Sequence, residues 1–198
     1  IKEALKKGKH VISEKPMVLS EKEAIELYEL AKKNKIVLFE AIKTAYAPAF
    51  KRMISLAKSG VIGKIKDVDA TFTKLMVDNG KYREFDKKQM GGSVTELATY
   101  PLVAIVKLLG EEYKKVDFYS YYGESEVDKY TKMVIQYKDA IATAQVGLGV
   151  KKEGELIISG TKGYIYVPAP WWKTEYFEIR FENQAENEKY FYKFNGDG

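Results

Sequence analysis

Two rhythms of apolar residues alternate along the first forty positions. Residues 1 to 9, Ile-Lys-Glu-Ala-Leu-Lys-Lys-Gly-Lys, read as the end of an amphipathic helix stopped by Gly8. His10-Val11-Ile12-Ser13 follows as a short buried strand, and Pro16 closes it. Ser20 and Glu23 have the spacing of a capping box, and Ala24, Leu27, Tyr28 and Ala31 fall at i, i+3, i+4 and i+7. That spacing predicts a helix of about four turns, ending near Asn34. The run Lys35-Ile-Val-Leu-Phe39 is continuously apolar after its lysine, as in a parallel strand covered on both faces. Helix, strand, helix, strand at this spacing predicts the C-terminal half of a Rossmann-like, doubly wound α/β unit.

From Pro48 the pattern changes. Pro48 suits the first turn of a helix whose apolar face is Phe50, Met53, Ile54 and Ala57 and whose stop is Gly60. Val68, Ala70 and Phe72 then alternate with Asp67, Asp69, Thr71 and Thr73, the period of a half-exposed strand. A helix is expected from about Ser93 to Leu109, bent or weakened at Pro101 and ended by Gly110. Strands are predicted over 116–122, 131–137, 140–150, 155–159, 164–167 and 175–182, with Gly160-Thr-Lys-Gly163 as a hairpin connection and a turn at Asn195–Gly198. The predicted organisation is therefore α/β plus α+β. Residues 1–44 are expected to form a small α/β piece, and residues 45–198 a domain with a large, mostly antiparallel sheet covered by helices on one face.

Composition removes several classes of function. The 198 residues contain no cysteine and one histidine, His10, so disulfides, thiolate catalysis and the usual zinc sites are not expected, and no metal is assigned. No uninterrupted apolar run reaches the ~18 residues of a membrane span, and no signal peptide is read, so a cytoplasmic protein is expected. The formal charge is +5, but the basic residues are lysines apart from Arg52, Arg83 and Arg180, and they are interleaved with acids. A nucleic-acid binder using this surface with Trp171, Trp172 and Tyr176 is a rival, yet it lacks the clustered stripe such binding requires. The start at Ile1 within a helical pattern suggests a fragment.

Three segments could carry chemistry. Ligands of open α/β sheets bind at the carboxyl ends of strands, where Ser13-Glu14-Lys15-Pro16 falls. Pro16 restrains Lys15 to an extended conformation, from which a partly desolvated amine could polarise a carbonyl or exchange a proton; the alternative is an ordinary surface lysine. Glu40 and Lys43 stand at the end of the next strand, either touching a ligand or forming a solvated pair. In the third segment Glu96 and Tyr100 share a helix face at i, i+4, although Ser93 to Glu96 is itself a capping box that would explain Glu96 without any ligand. Trp172, after Pro168-Ala-Pro170, is either a substrate-loop residue or a packing residue.

Taken in order, these segments resemble a known family. The run Gly8-Lys9-His10-Val-Ile-Ser-Glu14-Lys15-Pro16, Glu40 with Pro48 eight residues on, Gly60-Val-Ile-Gly63, Gly91-Gly-Ser with Tyr100-Pro101, and Gly160-Thr-Lys-Gly163 are similar to the glucose-fructose oxidoreductase / inositol dehydrogenase / rhizopine-catabolism (Gfo/Idh/MocA) family across essentially the whole chain. The resemblance implies an oxidoreductase that moves a hydride between NAD or NADP and a sugar, cyclitol or related diol, with residues 1–44 the remnant of its dinucleotide-binding Rossmann domain. It implies that Glu14, Lys15, Pro16 and Glu40 border the cofactor and that Lys15 hydrogen-bonds the reacting oxygen. Tyr100 would relay the proton, with Glu96 where relatives usually carry Asp; Lys43 and Trp172 would meet the substrate. One sheet face would serve a homo-oligomer.

The sequence also departs from the family pattern. Ala98 replaces a usual Gly, and Ala45 stands where an Arg is common, with Lys43 or Tyr46 able to take its space. The glycine-rich turn that cradles pyrophosphate is not within these residues. The chain by itself is therefore expected to be inactive and incomplete at its C-terminus. A non-catalytic relative, acting as a ligand sensor or a scaffolding subunit, is the other reading.

Overall fold

The computed structural model describes residues 1–193, so the turn expected at Asn195–Gly198 lies outside the described residues. The chain divides into two compact units, Ile1–Lys43 and the residues from Thr44 onward.

In the first unit helix α1 (Lys2–Lys6), strand β1 (Val11–Ser13), helix α2 (Glu21–Lys33) and strand β2 (Leu38–Glu40) follow one another. Gly8 adopts φ +71° after α1, a left-handed conformation that ends the helix at little cost in glycine. The Ser20 hydroxyl accepts the Glu23 N–H at 3.3 Å and donates to the Glu23 carboxylate at 3.1 Å, so the cap forms with its two side chains bonded to each other. Asn34 ends α2, and its amide donates to the Leu5 carbonyl at 3.0 Å, tying α2 to α1. β1 and β2 pair in parallel, Val11 with Leu38, Ile12 with Phe39 and Ser13 with Glu40. His10 Nδ1 accepts the Val37 N–H at 2.9 Å, which gives the only histidine a structural role.

The expectation of strands buried on both faces is corrected here. Leu5, Leu27, Ala31 and Leu38 form the core of this unit, whereas Ile12 is 76% exposed and Val37 and Tyr28 are also exposed. Leu5 of α1 and Leu27 and Ala31 of α2 meet in that one cluster, and within the unit nothing covers the other face of a two-stranded sheet.

The second unit is built on eight strands: β3 (Ile65–Thr73), β4 (Lys115–Tyr122), β5 (Asp128–Gln136), β6 (Ile141–Gly147), β7 (Leu156–Gly160), β8 (Gly163–Val167), β9 (Tyr176–Phe181) and β10 (Glu188–Phe191). Their order is β10-β9-β8-β7-β3-β6-β5-β4. Every pairing is antiparallel except β3 with β6, which run parallel with Val68 beside Ala142 and Ala70 beside Ala144. Helices α3 (Pro48–Lys58), α4 (Ser93–Leu97) and α5 (Thr99–Leu109) supply the second layer. Phe50, Met53, Ala104 and Ile105 from the helices join Val68, Ala70, Ala144, Ile158, Ile165 and Ile179 from one sheet face in a single buried cluster. Period-2 alternation puts these strand residues on the same side, and the opposite side carries Asp67, Asp69, Tyr119 and Tyr121.

Three details differ from the sequence reading. β3 is central rather than half-exposed: Thr71 and Thr73 are 2% and 3% exposed, because the Thr73 hydroxyl exchanges hydrogen bonds with the Lys152 backbone, and Thr71 N–H donates to the Glu155 carbonyl. The expected single helix from Ser93 breaks at Ala98, not at Pro101. Proline lacks the N–H that would bond to the Leu97 carbonyl one turn earlier, so the interruption shows on the N-terminal side. β10 was not foreseen; its Tyr190 stacks on Phe177 of β9 with centroids 4.7 Å apart.

Candidate active site

In the first unit the residues after β1 are clasped to the end of β2. The register that sets Ser13 beside Glu40 lets Ala41 N–H donate to the Ser13 carbonyl at 2.8 Å, and Glu40 Oε1 accepts the Met17 N–H at 2.9 Å. The carboxylate thus closes a loop of which Lys15 and Pro16 are the middle; the Lys15–Pro16 peptide is cis. Lys15 is half-buried within this clasp, Glu14 is exposed, and Lys43 is exposed beyond it. Glu40 therefore bonds to the backbone behind Lys15 rather than to Lys43. Backbone tethered on both sides is what fixes an amine in one place, the requirement for a general acid or base.

In the second unit the Gly91-Gly92 pair is required by close approach and by backbone conformation. A Cβ on Gly91 would lie 2.6 Å from the Glu84 carbonyl oxygen and 2.7 Å from that of Arg83, and Gly92 has φ +122°, which L side chains rarely adopt. The chain can then turn sharply into α4. Asp128, from β5, caps that helix: its carboxylate accepts the Val94 N–H at 3.0 Å, the Ser93 hydroxyl and the Thr131 hydroxyl. A carboxylate at the positive end of a helix is electrostatically favourable.

This arrangement removes the capping-box explanation of Glu96. The Ser93 hydroxyl is engaged by Asp128, and Gly92 rather than Ser93 stands at the N-cap position. Glu96 is 8% exposed, and its Oε1 accepts from Arg83 Nη2 at 2.6 Å. A carboxyl group so far from water needs a hydrogen-bonding partner of this kind. Ala98 keeps helical dihedral angles (−65°, −24°) across the break, so Glu96 and Tyr100 remain one turn apart although they belong to different helices.

An aromatic stack surrounds Tyr100. Its half-buried ring meets Phe72 edge-on at 5.0 Å, and Phe72 stacks flat on Trp172 at 3.7 Å. Trp172 is half-buried, abuts Trp171 and passes so close to Gly154 that a Cβ there would lie 2.7 Å from its ring. Trp171 is fully buried, with Nε1 donating to the Thr71 carbonyl at 2.8 Å, so it cannot stack on a nucleobase as the nucleic-acid rival required. Lys43 and Tyr46 are both exposed beside buried Ala45, and the Tyr46 ring lies under Lys51.

Three participants escaped the sequence reading: Arg83, Phe72 and Asp128. Arg83 had a visible signal, as one of three arginines in a lysine-rich chain. Asp128 had none, since it meets α4 from 34 residues away. Among the described residues no group of three or more His, Cys, Asp or Glu could hold a metal, and no helix is long and apolar enough to cross a membrane.

Known proteins share this architecture. A family model described as the GFO/IDH/MocA C-terminal domain matches residues 50–166, and one described as an oxidoreductase family with an NAD-binding Rossmann fold matches residues 1–42. The chain is 26% identical to the trans-1,2-dihydrobenzene-1,2-diol dehydrogenase of Bos taurus over 89% of its own length and 53% of that protein. Levoglucosan dehydrogenase, solved with NADH and levoglucosan, superposes with a TM-score of 0.81 at 21% identity, covering 95% of this chain and 56% of that one. KijD10, a 3-ketoreductase from Actinomadura kijaniata solved with NADP and TDP-benzene, gives 0.80 at 20% identity, covering 96% and 59%. At these identities the two solved structures show a shared fold. The chain spans about half the length of the curated relatives it matches.

Proposed function

The chain belongs to the GFO/IDH/MocA family of oxidoreductases, and on that premise we propose that it is part of an enzyme transferring a hydride between NAD(P) and a sugar, cyclitol or related diol. The nicotinamide cofactor supplies the hydride chemistry itself. The carboxyl ends of β1 and β2 suit such a cofactor, because the Glu40 clasp leaves Glu14, Lys15 and Pro16 at the edge where open α/β sheets receive nucleotides.

In this reading Lys15 hydrogen-bonds the reacting oxygen of the substrate, stabilising the charge that develops there as the carbon gains or loses hydride. Tyr100 exchanges the proton of that oxygen. Glu96, held by Arg83, sets its carboxyl group one turn from the phenol and keeps α4 and α5 in register. Trp172, through Phe72, braces the Tyr100 ring and offers its other edge to the sugar; Lys43, on the first unit, is the other residue assigned to the substrate. The observation that supports this most strongly is the Gly91-Gly92 turn with its Asp128 cap, which accounts for Glu96 and Tyr100 leaving one rigid helical start together.

The same reading takes the sheet face opposite the helices, where Tyr119, Tyr121 and Ile141 are exposed, as the contact of a homo-oligomer, and places the Cys-free protein in the cytoplasm.

The test uses the whole enzyme and a panel of sugars, cyclitols and diols followed at the nicotinamide absorbance. Lys15→Ala and Tyr100→Phe should each lower turnover by about 10²-fold or more, the size of a positioned acid/base contribution. Undiminished turnover in both variants on a confirmed substrate would remove the roles given to Lys15 and Tyr100, and no turnover of any member of the panel would favour a sensor or scaffold role.

A further inference from the structure

Beside the Arg83–Glu96 pair the second unit has a surface cavity of about 580 Å³, within the range of small-molecule sites. Four cationic residues, Lys81, Arg83, Lys87 and Lys88, line it. Their charges are not equally committed. Lys87 is paired with Glu126 at 3.2 Å. The other lining carboxylate, Asp86, accepts the Gln89 side-chain amide at 2.7 Å and the Lys88 N–H at 2.8 Å, and these bonds hold its carboxyl below the usual carboxylate range. Lys81 and Lys88 make no ion pair among the described residues. Arg83 gives one nitrogen to Glu96, but its side chain is still 47% exposed against 10% for its partner, so part of the fork stays accessible. A guanidinium edge in a cavity also lined by two ammonium groups outside any ion pair, one of them, Lys88, acting through its charge on Asp86, matches the oxygens of a phosphate group better than it matches a neutral sugar.

We propose that this cavity binds the phosphate group of a phosphate-bearing sugar or diol, so that the substrate class is anionic rather than a neutral polyol. The inference rests on the dehydrogenase reading only for the word substrate; the anion site itself stands on the cavity. Arg83 links the two places. The residue that neutralises Glu96 also lines the cavity, so a bound phosphate holds the remainder of its ligand within reach of the α4–α5 junction. Asp86 and Glu126 set the limit on how much negative charge the cavity accepts.

The experiment titrates the 198-residue chain with glucose 1-phosphate, glucose and inorganic pyrophosphate by calorimetry at low salt, without cofactor. Glucose 1-phosphate and pyrophosphate should bind at least about tenfold more tightly than glucose, one charge-assisted contact being worth about that factor. Lys81→Ala with Lys88→Ala should remove that preference, whereas Lys22→Ala with Lys33→Ala, which removes the same charge from α2, should keep it. Equal affinity for phosphorylated and neutral ligands would overturn the proposal, as would an equal loss in the α2 control, which would mean attraction to net charge alone. The whole enzyme separates this from the assigned activity. If phosphorylated and neutral diols are oxidised alike, and the Lys81/Lys88 change leaves the phosphorylated ones as good substrates as before, the dehydrogenase reading survives and the phosphate site fails. If phosphate binding depends on Lys81 and Lys88 but no phosphorylated or neutral substrate is turned over, the site survives and the dehydrogenase reading fails.

Discussion

Replacing Asp128 with Ala tests the claim that a residue on β5 fixes the helix start carrying Glu96. Three donors lose their shared carboxylate, with unequal consequences. The Ser93 hydroxyl retains the Val146 carbonyl at 3.3 Å, and the Thr131 hydroxyl retains Ser120 at 2.9 Å, so each re-forms a bond and loses only the extra strength of a charged acceptor. The Val94 N–H, in the first turn of α4, loses its acceptor. One unsatisfied backbone donor costs about 1–3 kcal/mol, and weakening two hydroxyl bonds adds about 1 kcal/mol, for a total of about 2–4 kcal/mol. Asp128→Asn keeps one acceptor oxygen and should lose about half as much.

Both tryptophans, Trp171 and Trp172, lie in the second unit, so urea titration followed by tryptophan fluorescence reports on this unit selectively. A double-mutant cycle with Ser93→Ala should then give a coupling of about 1 kcal/mol, because the two residues are in contact. A loss below about 0.5 kcal/mol, the level of an ordinary surface change, would show that α4 does not depend on this cap. Equal losses for Ala and Asn would show that the space Asp128 fills matters and its accepting oxygens do not.

Gly91→Ala drives a methyl into the backbone carbonyls of Arg83 and Glu84; overpacking of about 1–3 kcal/mol should lower Tm by roughly 2–12 °C, and an unshifted melt by circular dichroism would contradict the close approach. Trp171→Phe loses the bond to the Thr71 carbonyl and leaves a gap in the core, costing about 2–4 kcal/mol in denaturant; an effect under about 1 kcal/mol would mean the site collapses around the smaller ring. Burial, with the nearby Asp69 charge adding to it, raises the Asp67 carboxyl above its ordinary value, so the folded state holds this proton to higher pH than the unfolded chain does. Ionised Asp67 therefore destabilises the fold once pH exceeds its folded pKa, and the penalty vanishes below the unfolded value near 3.8. Asp67→Asn should raise the denaturation midpoint at pH 7 and match the parent at pH 3; a gain of equal size at both pH values would mean that charge is not the cause.

Local patterns carried much of this protein. Capping by Ser20, the stop at Gly8, the Pro48 helix with Phe50 and Met53 inward, and the hairpin at Gly160–Gly163 depend on residues within a few positions of one another, so their chemistry is visible in the chain itself. The Glu-Lys-Pro segment and the Glu96/Tyr100 spacing were legible for the same reason. The parallel pairing of β3 with β6, the burial of Thr71 and Thr73, and the exposure of Ile12 were decided only when distant segments met, because a residue's burial depends on what covers it and period-2 alternation cannot say what that is. Glu96 shows the division most clearly. Its spacing from Ser93 satisfied a local cap, but Asp128 took the serine and Arg83 took the glutamate, since charged partners arriving from other elements outbid a weaker bond between neighbours.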